Sequence, residues 1–227
     1  MKINQNMQYD RPSITTDAII FAYDQNNVKL ILTKRTEKDE YGKLALIGGF
    51  VHPNMTFKQS CIETVKRKIN LELTDDQVFE QRPVSNPTRD PRGWVASVPY
   101  IVFLNNDQFK QLDLTNLEIF NLHFDAFGGF INEDETSSTE IAFDHEQILI
   151  EFIKELKYST LWSGRFMKLL PQTFTINEAF NLFKLINPES KLVINNFKRS
   201  YGKFLKQTNQ KSMDKPAGRK ATIFTLK

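Results

Sequence analysis

The chain has 227 residues, 40% of them hydrophobic and 25% charged, which suits one mid-sized soluble domain with a smaller one attached. No apolar run approaches the roughly 20 residues that span a bilayer, and the start, MKINQNMQYDRP, lacks the apolar core of a signal peptide. A cytoplasmic protein without a membrane partner is expected, and a single cysteine, Cys61, excludes a disulfide framework.

The net charge of +3 is unevenly spread. From residue 190 onward ten basic residues face one acid, Asp214, so this tail carries +9 and leaves −6 on the residues before it. A small basic module on an acidic body is the electrostatic footprint of a nucleic-acid-binding domain.

Taken in order, residues 13–23 (SITTDAIIFAY) and 28–34 are β-rich runs joined by a hairpin signal, Asp24-Gln25-Asn26-Asn27. Residues 43–47 predict a further strand, which leads into a tight turn at Gly48-Gly49. A helix follows, with Phe57, Cys61, Val65 and Ile69 at i, i+4 spacing as its buried stripe and Asn70 as a left-handed stop. Cys61 on that stripe reads as a small buried hydrophobe and not a nucleophile. Glu63 and Arg67 have the spacing of a helical ion pair.

Residues 48–71, GGFVHPNMTFKQSCIETVKRKINL, resemble the Nudix box, the loop–helix G-x5-E-x7-R-E-U-x-E-E-x-G-U of the Nudix hydrolases. With Gly49 on the first glycine, Val65 and Leu71 fall on the aliphatic positions. Met55 replaces the first Glu, Glu63 the Arg, Thr64 the next Glu, Arg67 and Lys68 the paired metal-binding acids, and Asn70 the last Gly. Nudix hydrolysis needs carboxylates there, because Mg²⁺ takes oxygen ligands and stabilises charge on a pyrophosphate. Two cations repel the metal, so no catalytic residue, no bound metal and no cofactor is expected.

Beyond the box, residues 78–83 and 96–104 read as strands around the loop Ser85–Trp94 (SNPTRDPRGW), and residues 105–138 give only weak strands and turns. Residues 142–158 predict a helix with Asp144 as cap, Gln147 at the capping-box position and Ile148, Phe152, Ile153 and Leu156 inward. Asp144-His145 reads as a helix start and not a catalytic pair. A domain boundary is placed near Ser159, giving domains 1–158 and 159–227.

The C-terminal segment predicts a helix over 161–170, ended by Pro171, and a second from a Thr175–Glu178 capping box to about Ile186. A third, FKRSYGKFLKQ, is capped by Asn195 or Asn196 and buries Phe197, Tyr201, Phe204 and Leu205. Arg199, Lys203 and Lys206 fall on another face with Lys198 beside them, as in a recognition helix for the major groove. GRKATIFTLK alternates like a hairpin strand, with residues 211–220 as a basic tip. Three helices and a basic hairpin make a winged helix–turn–helix whose tip touches phosphates or the minor groove. A protein-interaction module, an RNA binder and a membrane-surface helix are the competing readings; the aromatics sit at buried spacings and form no stacking platform.

Arg11-Pro12-Ser13, Gly48-Gly49-Phe50-Val51, Arg89-Asp90-Pro91-Arg92-Gly93, Ala142-Phe143-Asp144-His145, Leu169-Leu170-Pro171, Asn196-Phe197-Lys198-Arg199 and Gly218-Arg219 occur in an order that resembles the Nudix-related transcriptional regulators. The resemblance implies an α/β fold, a Nudix α/β/α sandwich followed by a winged helix–turn–helix. It implies a homodimeric repressor or activator on a palindromic double-stranded DNA operator. Its effector would be a small molecule, ADP-ribose in the NAD-metabolism branch or a sugar derivative in others. Candidate effector contacts are Arg35, Gly49, Phe50, Arg89 and Arg92, with Arg67 and Lys68 as phosphate ligands. Candidate DNA contacts are Lys198, Arg199, Lys203 and Lys206, with Lys215, Arg219 and Lys220 at the wing tip. The alternative is a divergent hydrolase of ADP-ribose-like nucleoside diphosphate derivatives that uses acids outside the box.

Overall fold

The computed structural model describes residues 10–24, 27–131, 140–211 and 220–227. Its central strand is β1 (Ser13–Tyr23), whose run Ala18-Ile19-Ile20-Phe21-Ala22 is apolar at every position because both faces are covered. Ile19 and Phe21 enter one core, and Ala18, Ile20 and Ala22 enter the other. β2 (Val28–Lys34) pairs antiparallel with Ile20–Tyr23, whereas β4 (Ile47–Phe50), which follows the two-residue β3 (Leu44–Ala45), pairs antiparallel with Thr15–Ala18 on the same edge. The chain thus changes β1's partner just beyond Ala18. On the opposite edge β6 (Val95–Phe103) runs parallel to β1 from Ser13 to Phe21. With β5 (Val78–Glu80), β7 (Leu117–Phe124) and β8 (Gly129–Ile131) the main order is β5-β6-β1-β2-β7-β8. Full burial of a side chain such as Phe21 is worth roughly 1.5–3 kcal/mol, so this double-sided strand is a main source of stability.

α1 (Phe57–Ile69) covers the even face of β1. A Thr56–Gln59 capping box starts it, and Asn70, at φ 52°, ends it in the left-handed conformation expected of the stop. Cys61, Val65 and Ile69 are buried, but Phe57 in the first turn is 43% exposed, so the stripe begins one turn later than its spacing suggests. Burial pushes the Cys61 thiol up to about 12, which makes it inert. Gly48 and Gly49 do not form a turn. They are strand residues paired with Asp17 and Thr16.

α3 (His145–Ser159) covers the odd face with Ile148, Phe152, Ile153 and Leu156 buried. Asp144 makes no capping hydrogen bond, because its carboxylate is engaged by Arg89. The expected Asp144–Gln147 box therefore does not form. The weakly patterned region before α3 supplies α2 (Asn106–Lys110), β7 and β8.

Beyond α3 the helix expected over 161–170 is reduced to turns and a short 3-10 segment, Arg165–Leu169. Ser163-Gly164 interrupts it: the Arg165 N–H donates to Ser163 Oγ at 3.1 Å, and glycine is a poor helix former. β9 (Phe174–Thr175) leads into α4 (Ile176–Ile186), which starts on the Thr175–Glu178 capping box as expected. α5 (Ile194–Tyr201) is shorter than predicted. A 3-10 turn over Gly202–Phe204 closes it, and the chain pairs at once as β10 (Leu205–Lys211) with β11 (Thr222–Leu226). β11 also pairs with β9, making a three-stranded sheet of order β10-β11-β9. Two helices and a hairpin stand in the order of a winged helix–turn–helix.

Aromatic rings hold this segment together. Phe197 stacks on Tyr201 at 4.3 Å between centroids, Phe166 meets Tyr201 edge-on at 5.9 Å, and Phe183 touches Phe197 at 5.5 Å. Phe166, Phe183 and Phe197 share one buried cluster with Ile19, Phe21 and Phe152, so the C-terminal helices dock on the α3 side of the large sheet. Buried Lys157 on α3 donates to Glu189 Oε1 at 2.8 Å, and Tyr201 donates its hydroxyl to the Thr160 carbonyl at 2.5 Å. Among the described residues no helix is long and apolar enough to cross a membrane.

Candidate functional site

Where β1 changes partner, a cavity of about 620 Å³ opens, lined both from α1 and from the start of α3. Strand β4 brings Gly48, Gly49 and Phe50 to its wall, β2 leads to Arg35, α1 contributes Arg67 and Lys68, and the loop before β6 carries Arg89, Asp90 and Arg92. All seven predicted effector residues line this one cavity. Sequence reading missed Asp17, Glu37, His52, Phe143 and His145, which also line it. The signal for Phe143 and His145 was at hand in the Ala142–His145 run, read there as a helix start.

The cations are not equivalent. Arg89 is buried and forms a bidentate pair with Asp144, at 2.8 Å from Nε and 2.7 Å from Nη2. Two of its donors are thus taken by Asp144, which ties the loop to the start of α3. Arg92 makes the same fork to Asp90, at 2.9 and 2.7 Å; the Arg92 side chain holds the Asp90 carboxyl below its ordinary range. The guanidinium of Arg92 lies 4.8 Å from the Phe143 ring centroid and 5.3 Å from that of Phe50, and Arg35 lies 4.7 Å from Phe143. Each such contact is worth about 0.5–1 kcal/mol at an exposed site. Phe143 has φ 55°, a strained value for a bulky residue. Planar groups therefore gather around Phe143 in the cavity lining.

α1 adds two further cations to the lining. Lys68 Nζ lies 3.6 Å from Glu37, and Arg67 forms no ion pair among the described residues. The expected Glu63–Arg67 pair is not made; Arg67 instead points its Nη2 to within 3.7 Å of a Cβ built on Gly49.

The helix face that holds a divalent metal in a Nudix enzyme does not fit one here. The Thr64 hydroxyl lies buried beneath Gly49 with no hydrogen-bond partner, and Arg67 and Lys68 occupy the acid positions. Asp17, which also lines the cavity, accepts hydrogen bonds from Ser97 and Thr15 on one carboxylate oxygen. Among the described residues no group of three or more His, Cys, Asp or Glu side chains is placed to hold a metal.

His145 is buried, with Nδ1 accepting the Leu46 N–H at 3.1 Å and Nε2 4.0 Å from Asp17. An accepting Nδ1 means a neutral imidazole. Burial lowers its pKa from 6.5, outweighing the opposite pull of Asp17 and Asp144. The unfolded chain then takes a proton below pH 6.5 that the folded chain refuses. This contribution is complete above 6.5 and is lost as pH falls, by at most about 1.4 kcal/mol per unit. Denaturant titrations from about pH 7.5 down to 5 should show that slope, and His145→Asn, which keeps an acceptor for Leu46, should flatten it.

The predicted DNA contacts separate. Lys198 and Arg199 are exposed on α5, but Lys203 lies in the 3-10 turn with Nζ 4.9 Å from the Phe204 ring, and Lys206 is on β10. The i, i+4, i+7 basic face is therefore not formed, because Gly202 and the pairing of Leu205 with Leu226 end the helix. Lys220 is exposed beside β11; Lys215 and Arg219 lie outside the described residues. Val193 holds the N-cap position of α5, so Asn195 and Asn196 are not caps but exposed residues within the helix, next to Arg199 and Ser200. Asn and Arg are the side chains suited to reading adenine and guanine edges.

No protein-family profile matches the chain. It is 28% identical over 185 residues to the ADPR responsive transcriptional repressor NtrR of Acinetobacter baylyi, covering 80% of this chain and 69% of that one. It is 27% identical over 147 residues to an ADP-ribose pyrophosphatase of Methanocaldococcus jannaschii, covering 64% and 76%. Among solved structures, Shewanella oneidensis NrtR superposes with a TM-score of 0.77 at 21% identity over 94% of each chain. That protein has also been solved with a 27mer DNA, and its NUDIX domain with ADP ribose. The resemblance to the Nudix-related regulators thus extends along most of the chain, and the fold is the α/β Nudix fold.

Proposed function

We propose that the chain is a ligand-responsive DNA-binding transcriptional regulator. Its Nudix domain, residues 1–158, senses a small metabolite, ADP-ribose or a related nucleotide or sugar phosphate, without hydrolysing it. Residues 159–227 form the winged helix–turn–helix that binds a double-stranded operator as a homodimer. The observation that carries this reading is the basic face of α1: the helix that would hold a catalytic metal turns Arg67 and Lys68 into a cavity that also contains Phe50 and Phe143. The similarity to the Acinetobacter repressor supports it. So does α3, about 22 Å long at 1.5 Å per residue. It starts at the cavity with His145 and ends at Lys157 and Thr160 among the C-terminal contacts. An effector that binds two arrangements of this rod unequally would change the spacing of the DNA-binding helices.

Fluorescence-anisotropy titration against the DNA upstream of the gene tests the reading, with unrelated DNA as competitor and with or without ADP-ribose. Specific binding that ADP-ribose shifts is expected. Removing charge at Lys198 and Arg199 together should weaken specific binding by at least about tenfold, since a base or phosphate contact is worth roughly 1–3 kcal/mol. Unchanged binding would remove α5 from the interface. The relative that is an ADP-ribose pyrophosphatase keeps hydrolysis as the second reading, and Mg²⁺-dependent turnover of ADP-ribose would establish it.

A further inference from the structure

Glu37 lies just past β2 on the cavity wall, between two cations. Its carboxylate oxygens are 3.6 Å from Arg35 Nη2 and 3.6 Å from Lys68 Nζ. Both distances exceed the 2.7–3.2 Å of a good N–H···O bond, so neither contact is tight. Burial alone would raise its pKa, but its own backbone N–H, Lys68 and Arg35 hold it below the ordinary value, and it is an anion at neutral pH. Its side chain is 53% exposed and free to swing into solvent. Arg67 lines the same cavity and forms no ion pair among the described residues. Arg92 and Arg89, in contrast, each already face a carboxylate in a two-bond fork, that of Asp90 and that of Asp144. The cavity therefore holds three under-neutralised cations, Arg35 against the Phe143 ring and Arg67 and Lys68 on α1, and one removable carboxylate.

We infer that this cavity binds a diphosphate-type anion without a divalent metal, and that Glu37 is an internal counter-ion occupying the place the ligand's phosphate oxygens take. The inference rests on the sensing reading above and deepens it. Phosphate oxygens accept from guanidinium in a bidentate fork and from ammonium as a point charge. Arg67 and Lys68 supply both on one turn of α1, with Gly49 leaving room for close approach. The Phe50 and Phe143 rings then receive a planar group attached to the diphosphate. Mg²⁺ works against this arrangement. It meets cations where it needs oxygen ligands, and it neutralises the anion that those cations attract.

The test is calorimetric titration of the full chain with ADP-ribose, ADP and inorganic pyrophosphate, each in EDTA and in Mg²⁺. ADP-ribose or ADP should bind in EDTA as tightly as in Mg²⁺ or more tightly. Glu37→Gln should tighten binding several-fold, because the competing charge is gone. Arg67→Gln should weaken it at least tenfold. Both residues are exposed, so thermal melts of the variants should match the parent. Binding that needs Mg²⁺, Glu37→Gln that weakens binding, Arg67→Gln without effect, or no binding of any of the three probes would each overturn the inference. These outcomes stand apart from the regulator reading, because a chain that binds the anion and no operator would lose only the latter.

Discussion

Replacing Asp144 by Ala should lower stability by roughly 3–5 kcal/mol, the usual cost of stranding a buried charge. The Arg89 side chain is 3% exposed and that of Asp144 18%, so Arg89 would be left in a dry site with two unmet donors. At about 2–4 °C per kcal/mol for a chain of this size, thermal unfolding should fall by roughly 10 °C. The double variant Arg89→Met/Asp144→Leu should recover most of the loss, because apolar replacement of a buried pair is often neutral. The single change should reach the cavity as well. Arg89 anchors the loop that carries Asp90 and Arg92, so ligand affinity should drop even where the protein remains folded. A fall of less than about 2 °C would mean that Asp144 does not hold Arg89 in solution.

The fold was legible where local chemistry and tertiary demand agree. β1, β2, the Thr175–Glu178 start of α4 and the left-handed stop at Asn70 follow from runs, caps and turn residues that mean the same thing in any context. Three failures share one cause, a long-range partner that sequence spacing cannot show. Asp144 has the composition of a cap, yet Arg89, 55 positions away in the chain, takes its carboxylate. Arg199, Lys203 and Lys206 have helical spacing, but the pairing of Leu205 with Leu226 pulls the last two off the helix. Glu63 and Arg67 are correctly spaced, and the cavity draws Arg67 away. The seven effector candidates did converge, because a resemblance carries the memory of tertiary contacts that periodicity lacks. Glu37 belongs to no motif and Phe143 sits in the Ala142–His145 run with no role assigned to it, and only the folded chain brings both to one cavity.

Gly48 gives the sharpest test of the geometry around Asp17. Its presence looked like a turn requirement, but its backbone is an ordinary strand paired with Asp17, and the reason for glycine is space. A Cβ added there would stand 1.8 Å from Asp17 Oδ1 and 2.8 Å from the Thr16 carbonyl oxygen. The carboxylate cannot easily retreat, since Ser97 and Thr15 donate to its other oxygen and His145 lies 4.0 Å from the near one. The main-chain oxygen cannot move without disturbing the β1–β4 register. Gly48→Ala should therefore cost at least about 3 kcal/mol, the upper range for overpacking a filled site. Asp17→Ala/Gly48→Ala should recover only part of it, because the Thr16 contact remains. Gly49→Ala is the graded control: its Cβ would meet Thr64 Cγ2 at 3.2 Å, a contact a small side-chain shift relieves. Chemical denaturation of the three variants should rank Gly48→Ala as the least stable, the double variant next and Gly49→Ala nearest the parent. If Gly48→Ala matched the parent, the carboxylate of Asp17 would have to lie elsewhere, and with it the floor of the cavity.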